Sequence, residues 1–105
     1  MQYDNIPDRR SFKMMSIIPI DLSKVKKENT DREILRVGII AELDAVNLYE
    51  QLAENTNNKD LKRVLLDIAR EEKTHVGEFQ ALLLKLDKQQ EAELEAGKKE
   101  VEEKV

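Results

Sequence analysis

The sequence predicts an all-α fold: an antiparallel two-helix hairpin and a short C-terminal helix, with a four-helix bundle completed by homodimerisation. Three observations predict it. Apolar residues recur at steps of three and four along two long segments, neither segment contains proline, and a run of polar, turn-favouring residues separates them. The chain has 105 residues, 40% hydrophobic and 38% charged. That length admits one compact domain. A charged fraction above the roughly 25% of ordinary domains is what solvated helix faces produce.

Residues 1–29 read as an extended N-terminal arm. The first thirty residues hold both prolines, Pro7 and Pro19, and a charge of +2, six basic side chains less four acidic. Their most apolar stretch, Met14-Met15-Ser16-Ile17-Ile18-Pro19-Ile20, is far shorter than the roughly 18 apolar residues of a membrane span. It reads as neither anchor nor signal peptide.

Residues 30–87 read as the helical hairpin. Thr30-Asp31-Arg32-Glu33 has the capping-box pattern, with the Thr30 hydroxyl accepting from the Glu33 N–H, so a helix is expected to start at Asp31. From there to about Asn55 there is no proline and one glycine, Gly38. One apolar stripe runs Ile34, Gly38, Ala41, Ala45, Leu48, Leu52. A second runs Leu35, Ile39, Glu42, Val46, Tyr49, Ala53 and carries a carboxylate where an aliphatic residue belongs. Asn55-Thr56-Asn57-Asn58 supplies the turn and an N-cap for the second helix, as a short connection between antiparallel neighbours requires. The second helix has the stripe Leu61, Leu65, Ile68, Glu72, His75, Phe79, Leu82, Leu86, with two polar residues at its middle.

Residues 88–105 read as a short C-terminal helix and tail. Asp87-Lys88-Gln89-Gln90 resembles another capping box, and the acidic helix it opens is expected to end near Gly97 and fray from Lys98 to Val105.

Composition excludes several functions. With no Cys there is no disulfide frame, zinc ribbon or cysteine nucleophile, and a reduced, cytoplasmic setting is expected. Lys and Arg number 18 against 22 Asp and Glu, a net charge of -4. That balance gives no basic footprint for phosphate backbones or anionic lipid, so neither a nucleic-acid nor a membrane partner is expected.

The polar residues inside the apolar stripes carry the candidate chemistry. Glu72 and His75 are three apart on one helix and project from one face. Glu42 and Glu72 lie fifteen residues before and after Asn57, so an antiparallel hairpin brings them to the same height. Burying two carboxylates and an imidazole is costly unless each is balanced, and no Arg or Lys occupies either stripe. A bound cation balances them. Carboxylate oxygens with one imidazole favour iron or manganese over softer metals, and zinc with one His and no Cys is a poorer match.

Three ligands are too few for a di-metal centre. A carboxylate-bridged site takes a Glu from each of two helices and Glu-x-x-His from each of two others, and one hairpin supplies half of that set. A two-fold homodimer supplies the rest by symmetry. The competing structural reading is a polar layer of Glu42, Glu72 and His75 that sets register in a metal-free helical adaptor. Tyr49, two turns from Glu42, reads as core or as support for a ligand carboxylate.

The blocks Ala41-Glu42-Leu43-Asp44-Ala45-Val46-Asn47-Leu48-Tyr49-Glu50-Gln51 and Arg70-Glu71-Glu72-Lys73-Thr74-His75 make the chain resemble the encapsulated ferritin family, ferritin-like proteins associated with encapsulin shells. The resemblance runs from about Glu33 to Asp87. It implies a ferritin-like bundle whose dimer completes a ferroxidase centre holding iron, with Glu42, Glu72 and His75 as ligands and Tyr49 as a supporting neighbour. It further implies assembly of dimers into an open ring, a decamer, and iron mineralisation and storage inside an encapsulin nanocompartment. Two departures stand out. Family members often carry an acidic residue just before the first ligand that helps admit metal; here it is Ala41, leaving Asp44 as the acidic candidate for that role. Free-standing members end in a short apolar targeting peptide, whereas this chain ends Val101-Glu102-Glu103-Lys104-Val105, which suits either a domain excised from a ferritin–encapsulin fusion or a truncated chain. The enzymatic rival is peroxide reduction of the rubrerythrin kind, against which the absence of Cys argues, since it removes a rubredoxin-type electron relay.

Overall fold

The computed structural model describes residues 21–105 and is helical throughout its ordered elements: α1 (Thr30–Glu54), α2 (Lys59–Leu86) and α3 (Lys88–Lys104). The expected arm falls mostly on residues 1–20, outside the described residues. Its described end holds two short 3-10 turns, Leu22–Lys24 and Lys27–Asn29, the second leading directly into α1.

The three helix starts obey different local chemistry. The capping box expected at Thr30 does not form: α1 begins at Thr30 itself, and the preceding Asn29 makes no side-chain capping bond. The Thr30 hydroxyl instead donates back to the Lys26 carbonyl at 3.4 Å. The preceding 3-10 turn already continues into the helix, so Thr30 lacks the extended backbone that a cap needs. At α2 and α3 the caps do form. Asn58 accepts from the Leu61 N–H at 3.0 Å, and Asp87 accepts from the Gln90 N–H at 2.9 Å. The third helix runs on through Gly97 to Lys104 rather than ending near Gly97. One interior glycine costs a helix about 1 kcal/mol, and the Lys and Glu residues that follow it are good helix formers with no proline among them.

α1 and α2 pack along their length as an antiparallel pair. Residues early in α1 meet residues late in α2, as in the contact of Gly38 with Phe79, where a Cβ on the glycine would sit 3.2 Å from the ring. The hydrophobic core is thin: Leu35, Val46 and Ala53 from α1 with Ala69 and Leu83 from α2. Its two most buried members are alanines, so the helix backbones come close together.

Much of the expected stripe stays uncovered. Ile34 and Leu52 on α1 and Leu82 and Leu86 on α2 remain about half exposed, as does Val64 beside the α2 stripe. At 100° per residue these positions lie on one side of the hairpin. α3 leaves α2 at Asp87, makes few contacts with the hairpin, and lines a groove on the opposite side with Ile40 and Leu83. No helix among the described residues is long and apolar enough to cross a membrane.

Candidate metal centre

Glu42 stands at the middle of α1, and Glu72 and His75 at the middle of α2. The helix pairing brings one donor atom from each of the three to within 4.8 Å of the others. His75 Nδ1 lies 3.3 Å from Glu72 Oε2 and 3.4 Å from Glu42 Oε2. An imidazole nitrogen thus sits between two carboxylates contributed by different helices.

The cluster is not enclosed as deeply as its mid-helix position suggests. The side chains of Glu42 and Glu72 are each 19% exposed and that of His75 is 44% exposed. His75 shares its strip of α2 with Val64, Leu82 and Leu86, so the cluster opens onto the same uncovered apolar side of the hairpin. Among the described residues no element closes that side.

The hydrogen bonding within the cluster is incomplete. Glu42 Oε2 is buried and has no hydrogen-bond partner, since the nearby His75 nitrogen is off the line such a bond needs. Among the described residues no Lys or Arg pairs with Glu42 or Glu72. A buried oxygen without a partner costs about 1–3 kcal/mol, more when charged. A cation fits this position on two counts: it gives the orphaned oxygen a partner, and it offsets the repulsion between the carboxylates. Two anionic oxygens and a neutral imidazole form a donor set suited to iron or manganese.

The other two sequence candidates are placed differently. Asp44 is two residues from Glu42, about 200° around the helix, and it is buried at 6% exposure. It faces away from the cluster, so a role in admitting metal there does not follow from its position. Tyr49 is partly exposed on the α1 strip that carries Glu42, and its hydroxyl hydrogen-bonds to neither carboxylate.

Two cross-helix ion pairs were not apparent from the stripes. Lys73 pairs with Glu50 at 3.1 Å beside the cluster, and Arg36 pairs with Asp87 at 2.7 Å near the open end of the hairpin. All four residues fall between the apolar positions, where sequence spacing reads only a solvated face. Projecting both helices onto wheels would have turned each pair to the same side.

Comparison with known proteins adds relatives to this geometry. The rubrerythrin family model matches residues 33–105. A ferritin-like–encapsulin shell fusion protein of Pyrococcus furiosus is 52% identical over 92 residues, 86% of this chain and 27% of that protein. The encapsulin nanocompartment cargo protein EncC of Myxococcus xanthus is 40% identical over 73 residues, 67% of this chain and 56% of that protein. The chain therefore spans about a quarter and about half of the lengths of these two relatives. The crystal structure of the encapsulated ferritin domain from Pyrococcus furiosus superposes with a TM-score of 0.73 at 53% identity, covering 85% of this chain and 93% of that one.

Proposed function

Because the chain belongs to the rubrerythrin family, among its encapsulated-ferritin members, we propose that it is a ferroxidase, oxidising Fe(II) to Fe(III) at a di-iron centre shared by two copies. The observation that carries this reading is the Glu42, Glu72 and His75 trio, which holds a buried carboxylate oxygen without a partner beside an uncovered apolar face. Iron is the substrate. Each Fe(II) gives up one electron, with dioxygen as the acceptor, so the redox chemistry belongs to iron and the protein contributes position and charge.

The residues have separate tasks. Glu42 and Glu72 supply anionic oxygens from facing helices, and their charge draws a divalent cation into the cleft. His75 supplies a neutral nitrogen donor that fixes the cation's height along α2. One copy provides three donors, and a two-fold partner doubles them to four carboxylates and two imidazoles. Four carboxylates carry -4 and two Fe(II) ions carry +4, so the pair of trios and the pair of ions balance.

The apolar face supports pairing. Ile34, Leu52, Val64, Leu82 and Leu86 are each about half exposed. Full burial of a side chain of this size contributes roughly 1.5–3 kcal/mol, so covering the remaining halves favours a homodimer that closes over the cluster. Dimers of short hairpins assembling into an open ring, a decamer in this reading, enclose no mineral cavity. Storage then requires a shell. One relative is named as a fusion to an encapsulin shell and the other as an encapsulin cargo, which supports an encapsulin compartment in the cytoplasm as the working location.

The rubrerythrin match favours a second di-iron reading, peroxide reduction. The chain has no Cys to build a rubredoxin-type relay, and ferroxidase activity requires none. The metal-free adaptor reading leaves Glu42 Oε2 without a partner. Mixing anaerobic metal-free protein with Fe(II), admitting air and following the near-ultraviolet ferric band tests the proposal. A fast phase in the wild type, lost in His75→Ala and in Glu72→Ala while helicity is unchanged, is expected. No rate above buffer, or equal rates in all three proteins, overturns it.

A further inference from the structure

We propose that the Arg36–Asp87 pair is a latch that holds α3 on the side of the hairpin opposite the cluster, keeping the cluster's apolar face clear for a second copy. The inference does not depend on which ion the cluster takes. Asp87 is the single residue between α2 and α3, and it makes three separate connections. Its N–H donates to the Leu83 carbonyl at 2.9 Å, ending α2. One carboxylate oxygen accepts from the Gln90 N–H at 2.9 Å, starting α3. The other accepts from Arg36 Nη2 at 2.7 Å, tying that junction to α1.

The latch differs from the other ion pairs in its surroundings. Lys73–Glu50 and Lys88–Glu91 join side chains that are each about half or more exposed, and such pairs contribute little. In the latch Arg36 is 43% exposed but the Asp87 side chain only 10%. Apart from the Asp87 backbone itself, at φ -128° and ψ 89°, few contacts hold α3 against the hairpin. Arg36 is the one cationic side chain of α1 bonded to the junction, with Arg32 a turn earlier adding positive potential. On α3 itself Lys88 is engaged by Glu91 at 3.6 Å.

The direction set by the latch has a consequence. Arg36 and Gln90 line a groove of about 350 Å³ in which Leu94 of α3 faces Ile40 and Leu83. By helical spacing this groove lies across the hairpin from His75. Were α3 free to swing at Asp87, its half-exposed Leu94 and Val101 could fold over the apolar strip of Val64, Leu82 and Leu86 and compete with a second copy.

The absence of Cys makes a clean test available. Ala81→Cys on α2 and Glu100→Cys on α3 are spin-labelled in the full-length chain, diluted with unlabelled protein to suppress signals between copies, and the α2–α3 distance distribution is measured. Two variants separate pairing from capping. Asp87→Ser keeps an N-cap oxygen but no charge for Arg36, and Arg36→Met keeps the length of the side chain without the charge. A single narrow peak is expected in the wild-type background. Loss of that peak in both variants, with the far-ultraviolet helical signal unchanged, is the predicted result. An unchanged peak in both overturns the latch and assigns the angle of α3 to Leu94 packing. A broad distribution already present in the wild-type background overturns it as well.

Discussion

Glu42 is the residue on which the chemistry turns. Its buried Oε2 has no hydrogen-bond partner, and a neighbouring carboxylate repels it by up to about 4 kcal/mol at an effective dielectric near 20. Glu42→Gln removes the charge while keeping the shape. The metal-free variant is therefore expected to melt at least as high as the wild type, whereas the rise in melting temperature produced by Fe(II) or Co(II) should disappear. A thermal scan with and without metal checks both, and a variant that melts lower without metal but is still stabilised by it contradicts the role given to this oxygen. These three residues were legible in the sequence because each interrupts an apolar stripe at a helical step. The unpartnered oxygen was not, since hydrogen-bond angles are set by the packing distance between helices. Asp44, two residues from Glu42 and so about 200° around the helix, lies on another face, which closeness in sequence does not show.

Among the elements, α1 and α2 were readable from periodicity and the turn residues between them, but the first turn of α1 was not. Thr30 has a capping-box sequence without a capping-box structure, because the turn before it is already helical. The pattern at Asp87 did predict a cap, and it also concealed the bond to Arg36, which joins residues 51 positions apart. That carboxyl is held below its ordinary range, chiefly by the Gln90 N–H and then by the Arg36 bond and the charges of Arg32 and Arg36, while burial opposes the shift. A depressed carboxyl stabilises the fold above its unfolded pKa, and the contribution is lost as pH falls through the lower folded value. The difference in melting temperature between wild type and Asp87→Ala is therefore expected to be constant around neutrality and to shrink only below the ordinary carboxylate range. Shrinkage that begins near neutral pH runs against this assignment.

At the scale of the whole molecule, the described residues form a hairpin with a thin core and one apolar side left open among them. Periodicity marks a helix's apolar face, not what covers it, so Leu82 and Leu86 read as core in the sequence and stand about half exposed in the structure. The same side carries the metal trio, so metal and pairing should be coupled. Sedimentation is expected to show a tighter dimer with Fe(II) or Co(II) than without, and Leu82→Glu should weaken the dimer while leaving helicity intact. Equal association with and without metal contradicts the coupling. The central claim is that iron sits between two copies, held by Glu42, Glu72 and His75 of each. Anomalous diffraction at the iron edge from crystals loaded with Fe(II) tests it most directly: two iron peaks straddling a two-fold axis and touching all six side chains are predicted, and an absence of iron at the trio, or iron held by one copy alone, would contradict the account.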